Sequence, residues 1–356
     1  MRYLLFPSAL VLTLAPGALA NSEDAAEWPE LDRELEALNE ALTADTNGPR
    51  LWGYVRTSFA KSDEIRDPAG TALGGVLLDN VRLAVDGNVE RYSYRVSGDL
   101  AGGTLQLEDA YVDVTIGEGI YGTIGQFKSP FLRSGMVEAR DLLFIARSRN
   151  GVFASIRDQG VKFAGDHDRF HWGLAAQNGA DGASNRVLLS ARADVDVIGE
   201  PLPAWEGAYS SGDQARLNLA LGYQDDGAAS DAGALAVEAT AIFGSVYIQG
   251  EMVDYGDDWS FDPNFPGEQR GGTTPWSITT SVAMPNDRWE FALRYDDYDD
   301  VQAPADFDRT LFTAGANYYV SGHDLKWQFN YGYGRNAGTD DNPDTNIVAL
   351  GLTLAF

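Results

Sequence analysis

The chain has 356 residues, with 53 acidic against 26 basic side chains and a formal net charge of −27 at pH 7. This charge argues against nucleic acid as a partner, because such binding depends on cationic contacts to phosphates. The sequence contains no cysteine, which excludes disulfides and thiolate metal sites, and only three histidines. It has no phosphate loop, zinc spacing or dinucleotide fingerprint. We therefore expect no enzyme, no cofactor and no bound metal.

The first 20 residues have the pattern of a secretory signal peptide. Arg2 supplies the positive charge, residues 4–14 form a short apolar core, and Ala18-Leu19-Ala20 is a small-residue cleavage site. The apolar core is too short for a membrane-spanning helix, and no later apolar run approaches 18 residues. We expect export of the chain, with cleavage after Ala20.

Residues 21–48 are predicted to form a short periplasmic helix. Four leucines between Leu31 and Leu42 recur at intervals of four, three and four residues, the narrow apolar stripe typical of a coiled coil. Asn47-Gly48-Pro49 ends the pattern. Two interpretations stay open, a helix that lies on its own domain and a helix that self-associates.

From residue 50 onward, apolar side chains recur at every second position, the pattern of β-strands. In LKWQFNYGYG, residues 325–334, aromatic and aliphatic side chains fall on one face, and Lys, Gln, Asn and Gly fall on the other. Sixteen such runs can be counted, near residues 50–59, 76–86, 90–99, 104–116, 120–128, 152–165, 169–177, 187–198, 214–224, 234–243, 245–255, 275–284, 288–298, 309–320, 323–334 and 345–356.

The number and spacing of these runs indicate a transmembrane barrel. An even strand count, with short turns alternating with long polar loops, is the pattern of bacterial outer-membrane barrels. Trp and Tyr residues cluster towards the strand ends, as in the aromatic girdles of such barrels. A soluble sandwich would need linkers between several domains, and a propeller would need a fixed repeat. One long connection, residues 199–213, lies where a short turn is expected.

The predicted fold is therefore all-β: a 16-stranded antiparallel transmembrane β-barrel over residues 49–356, preceded by the short periplasmic helix. The predicted location is the outer membrane of a Gram-negative bacterium. Sixteen strands leave a lumen wide enough for water. We expect the small and polar face of each strand to point into that lumen.

One stretch opposes the acidity of the whole chain. Residues 128–162 hold seven basic and three acidic side chains, a local balance of +4. Residues 136–147 have a helical composition, and the apolar run 142–145 is expected to bury on the barrel wall, so that the loop folds inward and narrows the pore. The candidate constriction residues are Lys128, Arg133, Arg140, Arg147, Arg149, Arg157 and Lys162. Arg157 and Lys162 have opposite parity, so both can face the lumen only if a bulge interrupts their strand at residues 158–160.

Further basic residues lie at strand positions whose alternation is expected to point them into the lumen: Arg56, Arg82, Arg91, Arg95, Arg216, Arg294 and Lys326. A ring of such side chains would make the pore anion-selective. Alternatively, they pair with inward acids, which are Asp79, Asp99, Glu251, Glu290 and Asp296, and the pore is general or cation-preferring. A third possibility is a non-conducting surface scaffold or adhesin, with the lumen plugged by the loop.

Several strings resemble the phosphate-selective porins of the O and P type. They are GQFKSPF at residues 125–131, IARSRNGVFASIRDQGVKF at 145–163, ALRYDDYD at 292–299 and NYYVSGHDLKWQFNYGYG at 317–334. The resemblance implies a homotrimer of 16-stranded barrels, surrounded by outer-membrane lipid and lipopolysaccharide. It also implies an anion-favouring constriction that passes small anions such as phosphate, and it points to Lys128, Arg147 and residues 157–160. The family's lysine cluster is sparse here, because the exported part of the chain has only four lysines.

Overall fold

The computed structural model describes residues 48–66, 72–179, 187–227, 232–259, 271–300, 307–337 and 344–356. The expected signal peptide and residues 21–47 of the expected helix lie outside the described residues. No helix in the described part of the chain is long and apolar enough to cross a membrane.

Sixteen strands form one closed antiparallel barrel, in which each strand pairs with its neighbours in sequence and β1 pairs with β16. The strands are β1 (Arg50–Arg66), β2 (Ala72–Val89), β3 (Tyr92–Asp99), β4 (Gln106–Gly117), β5 (Ile120–Lys128), β6 (Arg157–His167), β7 (Phe170–Gln177), β8 (Leu188–Ile198), β9 (Ala215–Asp225), β10 (Gly233–Phe243), β11 (Val246–Tyr255), β12 (Trp276–Ala283), β13 (Trp289–Asp300), β14 (Phe307–Ser321), β15 (Leu325–Ala337) and β16 (Thr345–Ala355). The predicted count and fold class are confirmed.

The two faces of the wall are inverted relative to a soluble protein. On β15, Trp327 is 43% and Phe329 47% exposed, whereas Lys326 is fully buried at 0%. The same alternation of exposed apolar and buried small or polar side chains runs through β9, β10 and β11. Because lipid replaces water around the wall, an outward apolar face and an inward polar face are what a membrane barrel requires.

Connections of different length lie at the two ends of the barrel. Two-residue turns such as Glu90-Arg91 and Asp168-Arg169 lie at one end, called here the turn end. The long loops lie at the other, the loop end. The long connection expected at residues 199–213 is real and spans residues 199–214, because β8 ends at Ile198 and β9 begins at Ala215. In outer-membrane barrels the short turns face the periplasm.

The loop between β5 and β6, residues 129–156, is only partly helical. It contains α1 (Arg133–Met136), a single 3-10 turn (Ala139–Asp141) and α2 (Arg149–Ala154). The predicted helix over 136–147 is therefore wrong for most of its length. The expected start of β6 at residue 152 is also wrong, because α2 occupies that position and Ser148 Oγ caps it by accepting from Gly151 N at 3.0 Å.

The bulge expected at residues 158–160 does not form. β5 and β6 pair in one register from Lys128↔Arg157 to Ile120↔Gly165. Arg157 is the first residue of β6, and at a strand end its long side chain can turn inward regardless of parity. The side-chain direction of Arg157 at the strand end therefore resolves the conflict, and β5 and β6 keep one register.

Candidate functional site

The loop 129–156, called here the inner loop, lies inside the barrel. Leu143 and Phe144 are 0% and 1% exposed and belong to one buried cluster with Ile242, Tyr247 and Ala292 of the wall. Near the start of the loop, Phe131 and Leu132 belong to a second buried cluster, with side chains of β8, β10 and β11. Burial of four large apolar side chains favours the inward position by several kcal/mol. The predicted inward folding of the loop is confirmed.

Polar side chains of the wall bind the backbone of the inner loop directly. Asn317 Nδ2 donates to Leu143 O at 2.9 Å, and Ile145 N donates to Asn330 Oδ1 at 2.8 Å. Arg56 Nη2 donates to Ile145 O at 2.5 Å. These bonds explain why the segment is not helical, because its buried N–H and C=O groups find partners in the wall and need no helix.

Two wall glycines give the inner loop room to approach. A Cβ on Gly315 would lie 2.8 Å from the Phe144 ring, and a Cβ on Gly351 would lie 2.9 Å from Ile145 Cγ1. Both distances are shorter than ordinary carbon contacts. Glycine on the lumenal face of β14 and β16 therefore allows the loop to pack this close to the wall.

Lys128 and Arg147 are used to hold the inner loop together. Lys128 Nζ donates to Met136 O at 2.9 Å and to Val137 O at 3.0 Å. Arg147 donates from both Nη atoms, to Ser134 O and Val137 O, each at 2.5 Å. These carbonyls lie at the C-terminal end of α1, where helical C=O groups lack internal partners and cations are favoured.

Arg157 and Arg82 are paired with acids of the wall. Arg157 Nη1 lies 2.7 Å from Glu108 Oε2, and its Nε lies 2.8 Å from Asp109 Oδ1. Arg82 lies within 3.5 Å of Asp99 and within 3.3 Å of Glu108. This cluster presents ion pairs to the lumen rather than a row of unopposed positive charges.

Glu138 adds a further negative charge to the same cluster. Burial alone would raise the pKa of this carboxyl, but the charges of Lys128, Arg157 and Arg82 hold it at about 2. Its Oε1 lies 3.9 Å from Arg157 Nη2. Glu138 is therefore ionised at physiological pH and offsets part of the charge of the surrounding bases.

The four remaining constriction candidates lie apart from one another. Arg133 donates to the carbonyls of residues 203 and 205, and Arg140 contacts Asp141 at 3.5 Å and the exposed Asp324 at 3.6 Å. Arg149 donates to a tyrosine hydroxyl of β13. Lys162 stands over the rings of residues 121 and 127, at 6.0 and 5.2 Å from their centroids. The structure does not bring the seven candidates into one ring.

Of the further lumen candidates, most also have partners. Arg95 makes two bonds to Asp86, at 2.8 and 3.0 Å, and Arg294 Nε lies 2.9 Å from Asp296 Oδ2. Lys326 Nζ donates to Leu142 O at 2.7 Å. Arg91 lies exposed in the β2–β3 turn, so its inward assignment was wrong, and Arg216 donates to the carbonyl of residue 201 at the turn end.

Several charged residues that build the lumen were not among the candidates. Glu108 and Asp109 bind Arg157, and Arg192 Nη2 pairs with Glu238 Oε1 at 3.1 Å in the buried interior. The signal was available for Glu238, a lone charge at inward parity in the strand LAVEATA. Asp109 could not be recognised from the sequence as the partner of Arg157. The two residues are 48 positions apart, and only the register of the barrel brings them together.

The lumenal face is covered unevenly. On β13 and β15 the inward side chains of Glu290, Asp296 and Lys326 are all 0% exposed, beneath the inner loop and the segment 199–214. On β2–β6, six inward side chains retain partial exposure, although others such as Arg82 and Asp109 are buried. The six partly exposed side chains are Asp86, Arg95, Tyr111, Asp113, Tyr121 and Lys162. The space left in the barrel therefore adjoins β2–β6.

Known proteins share both sequence and fold features with this chain. The family model of the phosphate-selective porins O and P matches residues 215–356, which confirms the predicted resemblance over the C-terminal strands. No curated protein matches the sequence significantly. A loop-deletion form of OmpT, an outer membrane protein of Vibrio cholerae, is 16% identical with a TM-score of 0.60, over 88% of this chain and 100% of that chain.

Two further solved structures have the same barrel. The outer membrane channel DcaP of Acinetobacter baumannii is 14% identical with a TM-score of 0.54, over 87% of this chain and 97% of that chain. A mutant of the Rh. blastica porin is 14% identical with a TM-score of 0.54, over 86% and 100%. The fold is that of an outer-membrane porin. The porin family match and the barrel place the chain in the outer membrane of a Gram-negative bacterium, in a class of channels and not of enzymes.

Proposed function

We propose that this porin is a diffusion channel of weak charge selectivity for small hydrophilic solutes. The path would run between the inner loop and the lumenal face of β2–β6, where charged and tyrosine side chains remain partly exposed. The observation that carries the proposal is the pairing of lumenal charges, above all Arg157 with Glu108 and Asp109 at 2.7 and 2.8 Å.

Pairing matters because selectivity needs a net field along the path. A ring of unopposed basic side chains favours anions, and an acidic ring favours cations. The bases beside this path are Arg82, Arg95, Arg140, Arg157 and Lys162, and the acids near them are Asp86, Asp99, Glu108, Asp109, Asp113, Glu138 and Asp141. Opposite charges at contact distance act as dipoles, whose field falls off steeply, so small neutral and charged solutes should pass at similar rates.

A preference for anions, including phosphate, is the second candidate. It rests on the family match over residues 215–356 and on Lys162, which stands over two aromatic rings on the partly exposed side. Arg140 supports it too, since its side chain is 30% exposed and one of its two acidic partners, Asp324, is 68% exposed. An exposed ion pair is weak, which leaves Arg140 able to attract a passing anion.

We also propose that the chain assembles as a homotrimer within outer-membrane lipid and lipopolysaccharide. One of the structures with the same fold, OmpT of Vibrio cholerae, is described in its trimer form. An apolar outer face such as that of β9, with Leu219 43% and Leu221 57% exposed, can contact either lipid or a second barrel. Chemical cross-linking of the native outer membrane, followed by denaturing electrophoresis, would give a trimer band.

Liposome swelling tests the proposed function. Vesicles containing the purified porin should swell at similar rates in isotonic solutions of a neutral sugar, its carboxylate and its amine of matched size. Clearly faster swelling in the carboxylate solution would instead support the anion-preferring candidate. No swelling in any of the three solutes, with the barrel folded, would contradict a channel and support the scaffold alternative.

A further inference from the structure

The segment 199–214, called here the inner turn, enters the barrel from the turn end. Glu206, Gly207 and Ala208 are buried, although they belong to a connection and not to a strand. Ala208 N donates to Glu290 Oε1 at 2.6 Å. The Tyr209 ring stacks on Tyr319 with centroids 3.9 Å apart. The inner turn is therefore fixed to the wall.

The inner turn also binds the inner loop, which enters from the opposite end. Glu206 N donates to Asp141 O at 3.0 Å, and Leu143 N donates to Glu206 Oε2 at 3.0 Å. Through both bonds, one glutamate holds the loop at two positions two residues apart. A second connection lies at the start of the loop, where Arg133 Nη2 donates to Trp205 O at 2.8 Å.

The local sequence suits this contact. Gly207 has φ of +101°, a conformation that other residues rarely adopt. A Cβ at Gly207 would lie 2.6 Å from Glu290 Oε1, the atom that accepts from Ala208 N. Glycine at this position therefore allows the chain to pass close to the wall while Glu206 points at the loop.

The inner loop depends on these bonds. Leu143 is 0% exposed, so its N–H cannot turn to water if Glu206 is lost. A buried donor without a partner is strongly unfavourable, and the loop would have to move to relieve it. The packing of Phe144 and Ile145 on Gly315 and Gly351 holds the loop against β14 and β16. The bond to Glu206 holds the part of the loop that lies nearest the turn end.

We propose that the inner turn is a positioning element for the constriction, and that Glu206 is its principal residue. The turn holds residues 139–143 of the inner loop against the β13–β15 wall and keeps the passage beside β2–β6 at a constant width. Glu206 does not line that passage; it acts on conductance through the loop. This inference rests on the proposed channel function.

Three variants test the inference. Glu206→Ala removes the acceptor of Leu143 N, Glu206→Gln keeps an acceptor oxygen, and Glu200→Gln is a matched charge control at an exposed position of the same segment. Amide hydrogen exchange of residues 139–146 and single-channel conductance would be measured for each. We expect at least about tenfold faster exchange in Glu206→Ala, because the bond from Leu143 N to the Glu206 carboxylate is lost. Its conductance should change in level and become noisier, while the other two variants behave like the native chain.

The outcomes separate this inference from the proposed function. If Glu206→Ala folds, as judged by heat-modifiable electrophoretic mobility, yet exchanges and conducts like the native chain, the positioning role is overturned. If that variant does not fold, Arg133→Met breaks the second connection with a side chain of similar length, and unchanged loop exchange there overturns the role as well. If the native barrel does not conduct, the proposed function fails, and the exchange comparison still decides whether the inner turn positions the loop.

Discussion

Neutralising the acids that pair with Arg157 should convert the channel into an anion-selective one. Glu108 and Asp109 contact Arg157 at 2.7 and 2.8 Å, and both also contact Arg82, at 3.3 and 3.9 Å. The double variant Glu108→Gln with Asp109→Asn therefore removes two negative charges and leaves two guanidinium groups with weaker partners.

The size of the effect follows from Coulomb's law. Two charges with only weak remaining partners, about 7 Å from a path filled with water, stabilise a passing anion by roughly 1 kcal/mol and destabilise a cation equally. After screening by salt, the permeability ratio of chloride to potassium should rise by about tenfold at low ionic strength. The increase should shrink as the salt concentration is raised, because screening strengthens.

The assay is the zero-current potential of the double variant in a planar bilayer under a KCl gradient. The matched control is Glu118→Gln with Asp168→Asn, which removes the same charge at two exposed turn residues. Circular dichroism and heat-modifiable mobility would establish that the variant barrel is folded. A folded double variant with the same potential as the control would refute the claim that these ion pairs set the field in the passage.

Three further predictions concern how the inner loop is held inside the barrel. The pKa of Glu138 is held at about 2, below its ordinary 4.5. The stability that the ionised carboxylate contributes is therefore present above pH 4.5 and is lost as the pH falls towards 2. Acid unfolding of Glu138→Gln should lack this pH-dependent loss of stability. Asn330→Ala leaves Ile145 N without its acceptor at 2.8 Å, and guanidinium unfolding should show a loss of about 1–3 kcal/mol; an unchanged midpoint would contradict the role of the wall in binding the loop. Gly351→Ala places a Cβ 2.9 Å from Ile145 and should cost about 1–3 kcal/mol by overpacking, whereas Gly250→Ala, with no atom within 4 Å of the added carbon, should not.

The barrel could be predicted because its determinants are local. Alternation within strings such as LKWQFNYGYG depends only on the chemistry of each strand, and the structure places Trp327 and Phe329 outward and Lys326 and Gln328 inward. Turn glycines and polar loops then fixed most strand ends to within a few residues. The start of β6 was misplaced because apolar residues 152–156 suit a buried helix as well as a strand.

The interior of the barrel was harder to predict, because it depends on which strands become neighbours. Arg157 meets Asp109 across 48 residues, a contact that only the register of β4, β5 and β6 creates. The helical composition of residues 136–147 was misleading for a related reason. Wall side chains such as Asn317 and Asn330 bind the backbone of Leu143 and Ile145, and a helix would have used the same groups internally.

The inner turn illustrates the same limit. Its length was visible as an exception among short turns, but its entry into the lumen was not. The string Trp205-Glu206-Gly207 carries a signal in retrospect, a charge between an aromatic residue and a glycine in a connection. Its partners, Asp141 and Leu143, come from a loop more than 60 residues away and are brought close only by closure of the barrel.

The most direct test of the account is the zero-current potential of the unaltered protein in a planar bilayer under a KCl gradient. Charge pairing along β2–β6 predicts an open channel with a potential close to zero, changing little with ionic strength. A large potential of the anion-selective sign would show that Arg140 and Lys162 act as unopposed charges, and would contradict the paired passage.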